Sequence, residues 1–150
     1  MSGTGYYGDF RLSSLRNLKF YTEKMSKKKI LVIEDEDMLL DSYCEILESA
    51  GYETMRANDG YKGLESLETD KDDIALVVLD LMMPGLDGLE VLRVKTETPD
   101  KYGKAPVLVL TNMASEKAIK EAFDIGAVSY LIKTEMDSDS LVKEVEKILK

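Results

Sequence analysis

The chain has 150 residues, 44% of them hydrophobic and 33% charged, with a formal net charge of −9; that is one domain with enough apolar matter for a core that needs no disulfide or metal staple. It has no histidine, which excludes Ser-His and Cys-His triads, His-ligated zinc and the usual near-neutral switch. The single cysteine, Cys44, cannot close an internal disulfide, the longest apolar run (Ile74 to Leu79) is six residues where a membrane span needs about 18, and nothing near Met1 reads as a secretory leader, so a cytoplasmic protein without a membrane span is expected.

In chain order, residues 1–24 come first and stand apart. Residues 1–29 hold seven basic residues against Asp9 and Glu23, a net of +5, while residues 30–150 hold 13 basic and 27 acidic residues, a net of −14. An acidic domain repels phosphate, so direct DNA binding is not expected. Met25-Ser26-Lys27 reads as a start, and residues 25–150 as the domain. The status of 1–24 is open between a flexible tail, a cloning remnant and a mis-called start. Within it, Phe10, Leu12, Leu15 and Leu18, with Arg11, Arg16 and Lys19 between them, have the spacing of a short basic amphipathic helix. Gly3-Thr4-Gly5-Tyr6-Tyr7-Gly8 matches a dinucleotide-binding pattern, but no strand precedes it and the match is chance.

From residue 29 strands and helices alternate. Lys29 to Ile33 is a continuous apolar run, the mark of a strand buried on both faces. Leu39, Tyr43, Ile46, Leu47 and Ala50 then recur at helical spacing up to Gly51, with Cys44 one step off the stripe. Tyr52 to Ala57 is a half-polar edge strand, and Asn58-Asp59-Gly60 opens a helix through Leu64 and Leu67. Ile74 to Leu79 is the most apolar strand and so the most central. Pro84-Gly85 and Asp87-Gly88 mark a loop before a helix around Leu89 to Lys95. Thr96 to Lys104 reads as a polar loop. Val107 to Leu110 is the fourth strand, Ala114 to Ile125 a helix closed by Gly126, Val128 to Ile132 the fifth strand, and Leu141, Val145 and Ile148 line the last helix. Such alternation predicts an α/β domain, a single doubly wound parallel sheet of five strands with helices on both faces.

In a parallel sheet all the carboxyl ends share one edge, where ligands bind. The first strand delivers Glu34 and Asp35 there, the third Asp80, the fourth Thr111 and the fifth Lys133. Singly each has an ordinary explanation: Asp80 as a helix cap or Asx-turn, Lys133 as a solvated charge, Thr111 as a β-branched strand residue, Glu34 to Asp37 as an acidic first helical turn. Together they point to chemistry. Three carboxylates repel one another until one protonates or a cation binds. With only oxygen ligands the cation is hard: Mg²⁺, with Mn²⁺ or Ca²⁺ as substitutes. Metal, ammonium and hydroxyl are the parts phosphoryl transfer needs, and Asp80 can serve as the nucleophile.

Residues 29–150 resemble the receiver domain of two-component response regulators. The stretches that carry the resemblance are Ile30-Leu31-Val32-Ile33-Glu34-Asp35, Val78 through Gly88 (VLDLMMPGLDG), Val109-Leu110-Thr111 and Tyr130-Leu131-Ile132-Lys133. The resemblance implies the flavodoxin-like strand order 2-1-3-4-5. It implies Asp80 as phospho-acceptor, and Mg²⁺ held by Glu34 through water, Asp35, Asp80 and the backbone carbonyl of Met82. Lys133 would pair with one phosphoryl oxygen and Thr111 would move to bond another. Tyr130 would then swing inward, and the face of the fourth helix, fifth strand and fifth helix would change its preference for a downstream protein target. The family takes phosphate from a phosphohistidine, so a chain without histidine needs a sensor histidine kinase or histidine phosphotransfer protein in trans. No residues follow the last helix for an output domain, so the receiver is expected to stand alone, a signalling phospho-acceptor rather than an enzyme with an external substrate.

Departures concern the rim. Asn112 follows Thr111 where the family keeps a small residue. Thr134 replaces the usual Pro after Lys133, so a trans peptide is expected there. Met82 and Met113, two positions after Asp80 and Thr111, would shield an aspartyl phosphate from water and slow its hydrolysis. Three alternatives are weaker. An aspartate-nucleophile phosphatase of the haloacid dehalogenase kind needs a second Asp where Met82 stands. A flavin carrier needs a phosphate loop where Glu34 to Asp37 stand. A non-phosphorylated pseudo-receiver would not keep a complete acidic pocket.

Overall fold

The three most apolar runs become central strands buried on both sides, and the two more polar ones become the edges. In the computed structural model, which describes residues 15–18, 27–112 and 115–150, the strands are β1 (Lys29–Ile33), β2 (Glu53–Ala57), β3 (Ile74–Asp80), β4 (Val107–Thr111) and β5 (Ser129–Ile132). The helices are α1 (Asp37–Ser49), α2 (Gly60–Asp70), α3 (Gly88–Glu97), α4 (Glu116–Ile125) and α5 (Ser138–Leu149). The strands pair in parallel in the order β2-β1-β3-β4-β5.

The two-residue period of each strand divides the core into two layers. Ile30 and Val32 of β1, Leu76 and Val78 of β3, and Leu108 and Leu110 of β4 meet Leu40, Tyr43, Cys44 and Leu47 of α1 and Leu141 and Val145 of α5. The alternate residues Leu31, Ile33, Val77, Leu79, Val107 and Val109 meet Leu67 of α2, Val91 and Leu92 of α3 and Ala122 of α4. Thus α1 and α5 cover one face and α2, α3 and α4 the other. Among the described residues no helix is long and apolar enough to cross a membrane.

Two expectations are corrected. The segment Thr96 to Lys104 is not a polar loop: α3 runs on to Glu97, and Pro99–Tyr102 forms a helical turn. Pro99 suits the first turn because its fixed φ is already helical, and Tyr102 is buried in the core. The segment's carbonyls find Lys95, itself buried, whose Nζ donates to Ala105 O at 2.7 Å and Gly103 O at 3.4 Å. In α1 the buried stripe is Leu40, Tyr43, Cys44 and Leu47, at i, i+3, i+4 and i+7, with Leu39 and Ile46 only partly buried. Cys44 is therefore core. The Lys133–Thr134 peptide is trans. Residues 15–18 are helical; the rest of the proposed amphipathic segment, the start at Met25-Ser26, Met113 and Ala114 lie outside the described residues.

Candidate functional site

The register places the polar ends side by side. Ile33 of β1 lies opposite Leu79 of β3, so the residues that follow, Glu34 and Asp80, are neighbours. Asp80 pairs with Leu110, and Thr111 with Ile132, which sets Thr111 and Lys133 along the same edge. Lys133 opens a single 3₁₀ turn, Lys133–Glu135, after β5. Its long stem reaches across the end of β4, where Nζ lies 3.2 Å from Asp80 Oδ2 and 2.7 Å from Glu34 Oε2. One carboxylate oxygen from each of Glu34, Asp35 and Asp80 falls within a mutual 4.8 Å. Glu34, Asp80 and Thr111 are 1%, 2% and 1% exposed, so these polar groups are held in a largely dry pocket.

Burial shapes the charges. It pushes Glu34 up from 4.5 to about 7, against the hydrogen bond from Lys133, with the neighbouring charge of Asp80 adding to the rise. Burial also raises Asp80, partly offset by the charge of Lys133 and by the Met82 N–H, which donates to Asp80 Oδ1 at 3.1 Å. Desolvation opposes the charge on Lys133, but the hydrogen bond to Glu34 and the charges of Asp80 and Glu34 outweigh it and hold its pKa above the ordinary value. The expected mutual repulsion of carboxylates is met by the Lys133 ammonium and by a raised affinity of buried Glu34 for its proton. An oxygen-only donor set of this size and charge suits a hard divalent cation.

The structure brings Glu34, Asp35, Asp80, Thr111 and Lys133 together. Met82 stands at the rim, 57% exposed, and Asn112, after Thr111, is exposed as well. Tyr130 points outward at 39% exposure, its ring edge-to-face with Phe123 at 5.9 Å and 86°. Three residues that the sequence reading passed over shape the site. Tyr43 is buried, and burial raises its hydroxyl's pKa, opposed by the charge of Lys133 and aided by those of Glu34 and Asp80. Phe123 holds the ring of Tyr130. Gly88 packs so tightly that a Cβ there would collide with the carbonyl oxygen of Asp80 and lie 2.6 Å from Leu81 Cα. Only the small residue after the Asp87 cap hinted at this; Asp87 accepts from Glu90 N–H at 2.9 Å.

The profile of the response regulator receiver domain matches residues 30–146. The alkaline phosphatase synthesis transcriptional regulatory protein PhoP of Bacillus subtilis is 37% identical over 106 residues, 71% of this chain and 42% of that protein. Response regulator MprA of Mycobacterium ulcerans is 40% identical over 105 residues, 70% of this chain and 43% of that protein. The chain spans less than half the length of these curated relatives. Among solved structures, chemotaxis protein CheY4 of Vibrio cholerae superimposes with a TM-score of 0.75 at 25% identity, covering 83% of this chain and all of that one. A CheY-like receiver domain protein from Methanospirillum hungatei gives 0.73 at 27% identity, covering 83% of this chain and 94% of its own. With fold, strand order and acidic edge in agreement, the chain belongs to the response regulator receiver domain family.

Proposed function

We propose that this receiver takes a phosphoryl group from a partner's phosphohistidine onto Asp80 and passes the signal to a protein target. The observation that carries the reading is the pocket itself: three carboxylates within 4.8 Å of one another and the Lys133 ammonium 3.2 Å from Asp80. An Asp80 oxygen attacks phosphorus; the O–P bond forms as the N–P bond breaks, and the electron pair returns to the donor's imidazole. Lys133 turns from the carboxylates to one phosphoryl oxygen, and the Thr111 hydroxyl donates to another. Mg²⁺, or Mn²⁺ in its place, would be held by Asp35, Asp80, the Met82 backbone carbonyl and Glu34 through water, and when bound supplies positive charge against the developing phosphoryl charge.

Tyr130 then turns inward, giving up its contact with Phe123, and the face formed by α4, β5 and α5 changes its partner preference. The donor is a sensor histidine kinase or a histidine phosphotransfer protein, in the cytoplasm. The chain acts as a signalling module whose only chemistry is on itself. The test is the intact mass after treatment with acetyl phosphate and Mg²⁺. Wild type gains one phosphate and Asp80→Asn gains none. No gain on wild type, or an equal gain on Asp80→Asn, overturns the assignment.

A further inference from the structure

The groove between α1 and α5 is a concave feature that the proposed phosphorylation chemistry does not use. Ile46 and Val142 give it an apolar floor, and Glu45, Asp139 and Glu146 outnumber Lys143 on its rim. The chain enters β1 beside it: Lys28 Nζ donates to Leu149 O at 2.6 Å, so residue 28 is held to the C-terminal end of α5, one wall of the groove. Upstream lies the amphipathic segment. Leu12, Leu15 and Leu18 recur every third residue, and Arg11, Arg16 and Lys19 lie among them. Residues 15–18 are helical, and Leu15 and Leu18 are 60% and 62% exposed. The segment is thus both apolar and basic in sequence, the complement of a groove with an apolar floor and an acidic rim.

We propose that residues 11–19 are an intramolecular ligand of the α1–α5 groove, leucines on Ile46 and Val142, basic side chains on the acidic rim. The reach suffices: residues 20–27 extend up to about 27 Å, and the segment as a helix is about 14 Å long. Long basic side chains can lie along apolar surface while their charges meet the rim. Docking would cover one flank of the receiver and put access to it under the control of whatever competes for the segment.

The test uses the full chain carrying Asn17→Cys with a nitroxide label; Cys44, fully buried, stays unlabelled. Amide signals of Glu45, Ile46, Val142 and Glu146 should broaden selectively in ¹⁵N spectra. Leu15→Glu with Leu18→Glu, outside the folded core, should lower the docked-to-free ratio about tenfold or more. Glu45→Lys with Glu146→Lys should weaken the broadening, and Arg11→Glu with Arg16→Glu on that background should restore it. Broadening that is absent, spread over other faces, or unchanged by the leucine substitutions overturns the proposal. So does broadening that appears only between a labelled chain and a second ¹⁵N chain, which would make another copy the occupant.

Discussion

Glu34→Gln should flatten the pH dependence of stability of the metal-free protein. In the folded chain Glu34 titrates at about 7, against 4.5 ordinarily, chiefly because it is buried. The fold therefore binds this proton more tightly than the unfolded chain does. Below pH 4.5 both states are protonated and the contribution is fully present. As the pH rises from 4.5 to about 7 the unfolded chain ionises first and stability falls; above 7 the loss is complete. A shift of that size corresponds to about 3 kcal/mol. Gln copies the neutral acid, so wild type and variant should match near pH 4 and below. By pH 8 the variant should be the more stable by up to about 3 kcal/mol. Urea unfolding in EDTA from pH 4 to 8 measures both, and because Glu34 and Asp80 act on each other the difference reports the pair rather than Glu34 alone. A wild-type-minus-variant difference that stays constant across this range would refute the reasoning. A corollary concerns metal: since a ligand must be ionised to bind, Mg²⁺ binding should release close to one proton at pH 6 and few at pH 8, read by calorimetry in buffers of different ionisation enthalpy.

Asp35→Asn removes one of the three converging carboxylates; it should raise the melting temperature without metal and shrink the Mg²⁺-induced rise, and equal Mg²⁺ shifts in wild type and variant would count against the metal site. Gly88→Ala forces a methyl group into the backbone of Asp80 and Leu81. It should cost about 1–3 kcal/mol and slow phosphorylation by acetyl phosphate; wild-type stability in urea would sink this reading of the turn. Met82 is exposed at the rim and its sulfur cannot donate to a water, so phosphate release from wild type should be slower than from Met82→Asn with Met113→Glu; equal time courses would remove the shielding role.

The sequence made the strand ends legible because each apolar run stops abruptly at a polar residue, and a parallel sheet then leaves no choice of edge. Glu34, Asp80, Thr111 and Lys133 could be brought together from residues 100 apart on that ground alone. Less legible were features that depend on what packs above a residue. Leu39 and Leu40 are equivalent in type; which one is buried depends on how α1 rolls against β1 and β3. Tyr102 read as loop and Lys95 as the end of a helix because neither signals in sequence that a helical turn will follow and that the carbonyls after it, of Gly103 and Ala105, will take a buried ammonium. The raised titration of Glu34 was foreseen only as one of two ways to relieve repulsion, since which carboxylate rises depends on how deeply each is buried.

The same burial pattern says where a change in the pocket can be felt. β4 and nearly all of β1 and β3 are buried on both faces, and a close-packed centre cannot yield without loss of many contacts. β5 is an edge strand whose residues are half-buried or exposed, and α4 keeps one fully buried side chain, Ala122. The pocket reaches this softer margin at two points, Thr111 at the end of β4 and Lys133 at the end of β5. A group that pulled both toward Asp80 would strain the margin rather than the centre. Tyr130 lies three residues before Lys133 on that strand, held outward by one aromatic contact worth about 0.5–1.5 kcal/mol. A charge-assisted hydrogen bond contributes about 1.5–3 kcal/mol. Lys133 would exchange its bonds to Glu34 and Asp80 for one to the phosphoryl group, so what counts against the Phe123–Tyr130 contact is the gain of that exchange, and it falls on the margin while the core of the sheet stays as it is.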